Sequence, residues 1–299
     1  MLHEEVLGRA ERWSSAVALV DAATGRSLHY GDLVDGVRRF AGALRARGAQ
    51  PGDVLGIVAF NALEFPIAMH GALAAGLTVA PASPLLTARE LSAFLRQAGA
   101  RYAVADAESL EKVTGVEEVF ALEALPMGAP LGLAGGDPEA LAVLFSTSGT
   151  TGLPKSAAHS HAGAVATLRQ YAAGRLRGFG PNDVVSGIVP FPHMYGSVML
   201  NSVLRVRARM VTLARFEPEP FLRMVEEHRV TVAVVVPPIA RVLAHHPLVD
   251  RYDLSSLRFV LVGAAPCPAG LEEACSERLG CVVAQALGMT EAAPLALPE

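Results

Sequence analysis

Ser146-Thr147-Ser148-Gly149-Thr150-Thr151-Gly152-Leu153-Pro154-Lys155 is the most informative stretch of this 299-residue chain. It packs five hydroxyl side chains, two glycines and one lysine into ten consecutive residues. The apolar run Ala140 to Phe145 comes directly before it and reads as a buried strand. Glycines let backbone N–H groups approach an anion closely, hydroxyls add donors to phosphate oxygens, and a lysine ammonium adds a point charge. The same composition also suits a solvent-exposed linker, and the position after a buried strand favours a phosphate loop. A Walker A loop needs Gly immediately before its lysine, and Pro154 stands there. The stretch is therefore a nucleotide loop of another kind, or none.

Working outward, helical and strand patterns alternate. Leu33, Val34, Val37, Phe40, Ala41 and Leu44 have helical spacing over Tyr30 to Arg47, and Gly48 supplies a stop. Thr87-Ala-Arg-Glu90 is a capping box opening a helix through about Gln97. Helices are also expected over Pro218–His228 and Ala269–Leu279. Continuous apolar runs predict strands at Val54–Phe60, Tyr102–Ala105, Val184–Val189, Met210–Leu213, Val230–Val236 and Phe259–Val262. Such alternation predicts an α/β protein whose mainly parallel sheet is covered on both faces. Gly128 to Asp137 is rich in Gly and Pro without periodicity, which divides the chain into subdomains over residues 1–135 and 136–299.

With 52% hydrophobic and 18% charged residues, the composition is globular, and a net charge of −4 without a block of five or more like charges argues against a nucleic-acid partner. Three cysteines (Cys267, Cys275 and Cys281), with no CxxC, argue against a disulfide framework or a zinc site. The start Met1-Leu2-His3-Glu4-Glu5 has no apolar signal core, and Pro66 to Leu86 is too interrupted by Pro and Gly for a membrane helix. A helix followed by a buried strand fits Pro66 to Leu86 better, and the expected setting is cytoplasmic. His159-Ser-His161 and His245-His246 are pairs without a third metal ligand nearby in sequence. No GxSxG elbow is present to support a serine hydrolase.

The ordered string Ser148-Gly-Thr-Thr-Gly-Leu-Pro-Lys155 resembles the signature loop of the adenylate-forming superfamily. Further segments follow in the same order: Pro190-Phe-Pro-His193-Met-Tyr195-Gly196, Val235-Val-Pro-Pro-Ile239, Tyr252-Asp-Leu-Ser-Ser-Leu-Arg258, Gly263-Ala-Ala-Pro266 and Gln285-Ala-Leu-Gly-Met-Thr-Glu291. Within the superfamily, His193 to Ser202 and Arg229 to Pro238 are most similar to 4-coumarate–CoA ligase-like acyl-CoA synthetases. The resemblance implies the large N-terminal domain of such enzymes, with two packed, mainly parallel α/β subdomains. It implies ATP and Mg²⁺ as cofactors, CoA as cosubstrate and a small carboxylic acid as substrate. The reaction is attack of the acid on the α-phosphorus of ATP, giving an acyl-adenylate, followed by displacement of AMP by a thiol.

By the same resemblance, Ser146, Thr147, Ser148, Gly149, Thr150, Thr151, Gly152 and Lys155 would hold the β- and γ-phosphates. Thr290 would contact the α-phosphate and Glu291 would bind the metal. Gly263, Ala264, Ala265 and Pro266, with Leu287 and Gly288, would receive the adenine. His193, Tyr195, Gly196, Leu261 and Val262 would line the acid's pocket, His193 also separating the adenylation and thioester arrangements.

Three departures change what is implied. Ser156 replaces a Gly after the lysine. Leu287 replaces an aromatic ring, whose stacking on a base is worth roughly 1–3 kcal/mol. Leu261-Val262 replace a Lys-Ser pair beside a phenolic group, which implies a more apolar acid than coumarate. The family's ribose-binding aspartate, hinge and lysine-bearing C-terminal domain do not occur within these 299 residues. The 299 residues alone are thus expected to bind ATP, to be nearly inactive and to self-associate through an exposed sheet. The alternative is a non-catalytic nucleotide- or acyl-binding remnant.

Overall fold

The computed structural model describes residues 1–147, 155–173 and 180–296. The loop residues Ser148, Gly149, Thr150, Thr151 and Gly152 lie outside them.

A short helix α1 (Leu2–Leu7) leads to the antiparallel strands β1 (Val17–Asp21) and β2 (Ser27–His29). Helix α2 (Tyr30–Ala46) buries Leu33, Val34, Val37, Phe40, Ala41 and Leu44, the stripe its sequence period requires. Then come β3 (Val54–Val58), α3 (Phe65–Ala74) and β4 (Thr78–Ala82), the helix and strand expected between Pro66 and Leu86. Helix α4 (Ala88–Gln97) starts at a reciprocal cap: Glu90 N donates to Thr87 Oγ1 at 3.3 Å, and Thr87 N donates to Glu90 Oε2 at 2.8 Å. Strands β5 (Ala100–Ala105), β6 (Glu118–Ala121), β7 (Leu141–Thr147) and β8 (Lys155–Ser160) lead to α5 (His161–Ala173).

The remainder alternates β9 (Val184–Gly187), α6 (Met194–Arg205), β10 (Arg209–Thr212), α7 (Pro218–Glu227), β11 (Val232–Val235) and α8 (Pro237–His245). It continues with β12 (Phe259–Val262), α9 (Ala269–Leu279), β13 (Val282–Gln285) and a small hairpin, β14 (Leu287–Met289) with β15 (Ala292–Ala296).

Among the described residues, one sheet has the order β6-β5-β3-β4-β7-β8 and the other β13-β12-β11-β9-β10-β1-β2. Within these two sheets pairing is parallel except for β1/β2 and β7/β8. Strands β1 and β2 join the sheet built mostly after residue 136, while β7 and β8 join the sheet built before it.

Three apolar clusters follow from the alternation of side chains along each strand. The largest lies between the sheets, where Ile57, Val79 and Val104 of one face Val185, Met210 and Val234 of the other across α2, α3 and α6. A second packs α7, α8 and α9 on the outer face of the β9–β13 region, and a third packs α4 outside β3, β4 and β5. Among the described residues, no helix is long and apolar enough to cross a membrane.

Candidate active site

The sequence segments singled out above sit where strands end and chains turn, the usual place for a ligand crevice in a parallel α/β sheet. Ser146 and Thr147 close β7 and pair with Ser156 and Lys155 across the antiparallel ladder. Thr147 and Lys155, which flank the hydroxyl-rich stretch, are therefore held side by side at the sheet's edge. Four residues beyond Lys155, His159 donates from Nε2 to the carbonyl of Thr290 at 2.7 Å and sets its ring edge-on to Phe145, with centroids 5.6 Å apart. That bond brings the strand leaving the loop against the Thr290–Glu291 turn of the β14/β15 hairpin. Glu291 is exposed there and Thr290 is half-buried.

A second group forms around Gly263. Its N–H donates to Val235 O at 3.1 Å, continuing the β11 ladder past the end of β12. A Cβ at this position would lie 2.8 Å from Cζ of Tyr195 and 3.1 Å from its hydroxyl oxygen, so only glycine admits the ring. The Tyr195 hydroxyl donates to Leu261 O at 3.2 Å, and burial raises its pKa well above that of a free phenol, keeping it a neutral donor. Gly196 is needed for a similar reason: a Cβ there would meet Pro190 O at 2.0 Å. The first turn of α6 thus lies directly on the Val189–Pro190 backbone, with His193 as its exposed N-terminal boundary. Surrounding protein still desolvates the His193 imidazole enough to lower its pKa.

Leu261 and Val262 do not share a face. Leu261 points into the cluster between the sheets with α6, while Val262 points outward among Val235, Ala240 and Leu271. Leu261 therefore joins Tyr195 and Gly263, and Val262 stands away from them. Ala264, Ala265 and Pro266 are exposed, and Ala264 adopts φ +70°, a left-handed conformation uncommon for a residue with a Cβ. Leu287 is 62% exposed and Gly288 is also at the surface.

Two residues of this region were not distinguished by sequence pattern. Asn61, just past β3, is 6% exposed and donates from Nδ2 to Gly187 O (2.9 Å) and Val189 O (3.0 Å) while accepting from Phe191 N at 2.7 Å. It fixes the segment leading to His193 onto the other sheet. His159 was visible only as half of the His159/His161 pair. The two diverge: His161 is buried, and its Nδ1 accepts from Leu2 N at 3.1 Å. The only sequence hint for Asn61 is a lone amide after an apolar strand.

Among the described residues, no three His, Cys, Asp or Glu side chains group as a metal site. A single exposed carboxylate such as Glu291 suits Mg²⁺, which usually keeps waters and takes one or two carboxylates plus substrate phosphates.

These layers are those of the large N-terminal α/β domain of adenylate-forming enzymes. The chain belongs to the family of AMP-binding enzymes, whose model matches residues 8–299. It is 33% identical to 4-coumarate–CoA ligase 3 of Arabidopsis thaliana and 34% identical to 4-coumarate–CoA ligase 5 of Oryza sativa subsp. japonica, in each case over 98% of this chain. It spans 56% and 58% of those relatives' lengths. A benzoate CoA ligase from Burkholderia xenovorans LB400 superposes with TM-score 0.85 at 26% identity, over 97% of this chain and 61% of that one. The N-terminal domain of FACL13 from Mycobacterium tuberculosis gives 0.87 at 22% identity, over 97% and 76%, a likeness of fold.

Proposed function

We propose that this protein carries the nucleotide- and acid-handling part of an enzyme that activates a carboxylic acid with ATP, the complete enzyme then passing the acyl group to CoA. The observation that supports this most is the 2.7 Å bond from His159 to Thr290, which joins the strand leaving the hydroxyl-rich loop to the turn bearing Glu291. A carboxylate and a triphosphate repel each other, so a site for this reaction must supply donors and cations to both and hold them in line. Ser146, Thr147 and Lys155, with Ser148, Gly149, Thr150, Thr151 and Gly152 between them, would bind the β- and γ-phosphates. Thr290 would bind the α-phosphate and Glu291 would hold Mg²⁺. When bound, Mg²⁺ neutralises phosphate charge and polarises the phosphoryl group. Gly263, Ala264, Ala265, Pro266 and Gly288 offer the adenine a surface of backbone and small side chains. The exposed Leu287 gives that ring apolar contact without stacking.

On the acid side, His193, Tyr195, Gly196 and Leu261 would form the pocket wall. The Tyr195 hydroxyl is already committed to the Leu261 carbonyl, and the Leu261 side chain is apolar, which favours an apolar acid over a phenolic one. Isothermal titration of the protein with ATP tests the nucleotide half. Binding should depend on Mg²⁺, and Glu291→Gln should remove that dependence while leaving AMP binding within about threefold. Absence of binding at millimolar ATP would overturn the proposal.

A further inference from the structure

Helix α1 contributes nothing to the site above, yet four of its six residues are buried and it is fastened at several points. Leu2 N donates to His161 Nδ1 on α5 at 3.1 Å, and His3 donates from Nε2 to the carbonyl of Leu133 at 2.8 Å. Glu4 Oε1 accepts from Gly135 N at 2.7 Å, and Glu5 takes Arg169 of α5 and Arg205 of α6, each at 2.8 Å. The Leu2 side chain closes one wall of a cavity that Phe145, His159, Met194 and Val198 also line. The first of these fastenings needs a neutral imidazole. A ring nitrogen that accepts a hydrogen bond carries no proton, and a proton on His161 Nδ1 would point at the Leu2 N–H. His3 Nδ1 is buried without a partner, so a proton there would be stranded as well. The His3 and His161 rings meet edge-on, with centroids 5.9 Å apart, and His70 of α3 lies within electrostatic reach of His3. A charge on one ring therefore opposes a charge on the next. Glu4 lies within reach of both His3 and His161, and Asp137 of His161, but burial outweighs them: His161 is lowered to about 4, and His3 is lowered too.

We infer that α1 is an acid-released strap: protonation of His161 and His3 frees its first turn from α5 and withdraws Leu2 from the cavity while the two sheets stay folded. Both rings are neutral when the strap is docked. Docking is complete above the free-imidazole value of 6.5 and is lost as pH falls toward about 4. Between pH 7 and pH 5, His161 alone should shift the equilibrium about twentyfold toward release, and His3 adds to it. Glu5 is held below the ordinary glutamate value, chiefly by Arg169, and keeps its charge through this window. Its ion pairs with Arg169 and Arg205 persist and confine the release to the first turn.

The test is amide hydrogen exchange at pH 7 and pH 5, corrected for the intrinsic rate at each pH, on the wild-type protein and on His161→Asn. Asparagine sets an oxygen near the Nδ1 position, so it accepts from Leu2 N without titrating. In the wild type, peptides covering α1 should be less protected than those of α2 at both pH values, and α1 protection should fall about twentyfold or more at pH 5. In His161→Asn most of that fall should vanish. Equal protection of α1 and α2 at both pH values means that α1 opens only with the whole molecule, and it overturns the inference. A fall in His161→Asn within about twofold of the wild type's removes His161 as the trigger and overturns it too. Should His161→Asn fail to fold, the wild-type comparison of α1 with α2 decides alone.

Discussion

Taking the protein from pH 7 to pH 5 should cost about 4 kcal/mol of folding stability through two buried histidines. His70 lies inside α3, fully buried, and neither ring nitrogen reaches a hydrogen-bond partner. Burial drives its pKa down to about 3; His3 on α1 adds to the fall and Asn201 on α6 offsets part of it. His161, at the start of α5, is lowered to about 4, chiefly by burial, with His3 and the amino terminus adding and Glu4 and Asp137 opposing. Both are neutral in the fold and titrate near 6.5 when unfolded. The stability they confer is complete above that value and is lost as pH falls toward the folded values. At pH 5 each of these histidines in the unfolded chain lies about 1.5 units below its pKa and binds a proton that the fold excludes, a difference of roughly 2 kcal/mol each. This is a large fraction of a typical 5–15 kcal/mol total. Urea unfolding at the two pH values measures it, and His70→Leu should shrink the difference by about 2 kcal/mol. An unchanged pH dependence in His70→Leu, or an NMR titration of His70 near 6.5, would refute the reasoning.

Gly263→Ala should force the Tyr195 ring aside and break its bond to Leu261 O, costing roughly 1–3 kcal/mol by overpacking; thermal unfolding and the loss of acid-analogue binding check it. Asn61→Ala leaves Phe191 N without its acceptor and Val189 O without the Asn61 donor, for a loss of about 3 kcal/mol in urea unfolding. Gly187 O keeps the Thr212 hydroxyl, so it should add little. Ala264→Gly relieves a left-handed alanine and should leave stability unchanged or raise it by up to about 1 kcal/mol, whereas Ala264→Val should lower it, both read as a shift in urea midpoint.

The elements were largely legible because their signals are local. The apolar stripe of α2, the Thr87/Glu90 cap and the continuous run of β12 each declare themselves within a dozen residues. Pairings between distant segments were not. Nothing local says that Val17–Asp21 lies parallel to β10, or that β7 lies parallel to β4 and so stays with the earlier strands. The strands therefore cross residue 136 in both directions. Within the site, motif order pointed to Gly263, Tyr195 and the Thr290–Glu291 turn, but face assignment separates Leu261 from its neighbour Val262. Asn61 acts on backbone far away in sequence, and no residue pattern reports a hydrogen bond across 126 positions.

That exchange of strands has a mechanical consequence. The segment from Ala134 to Asp137 is the exposed tie between the two stretches of chain, yet each stretch contributes strands to the other's sheet. Cutting the tie does not free two bodies. It leaves two peptides clasped through β1 on β10 and β4 on β7, which part only when both sheets come apart together. Melting here is an event of the whole clasp, and a nicked molecule would still travel as one particle.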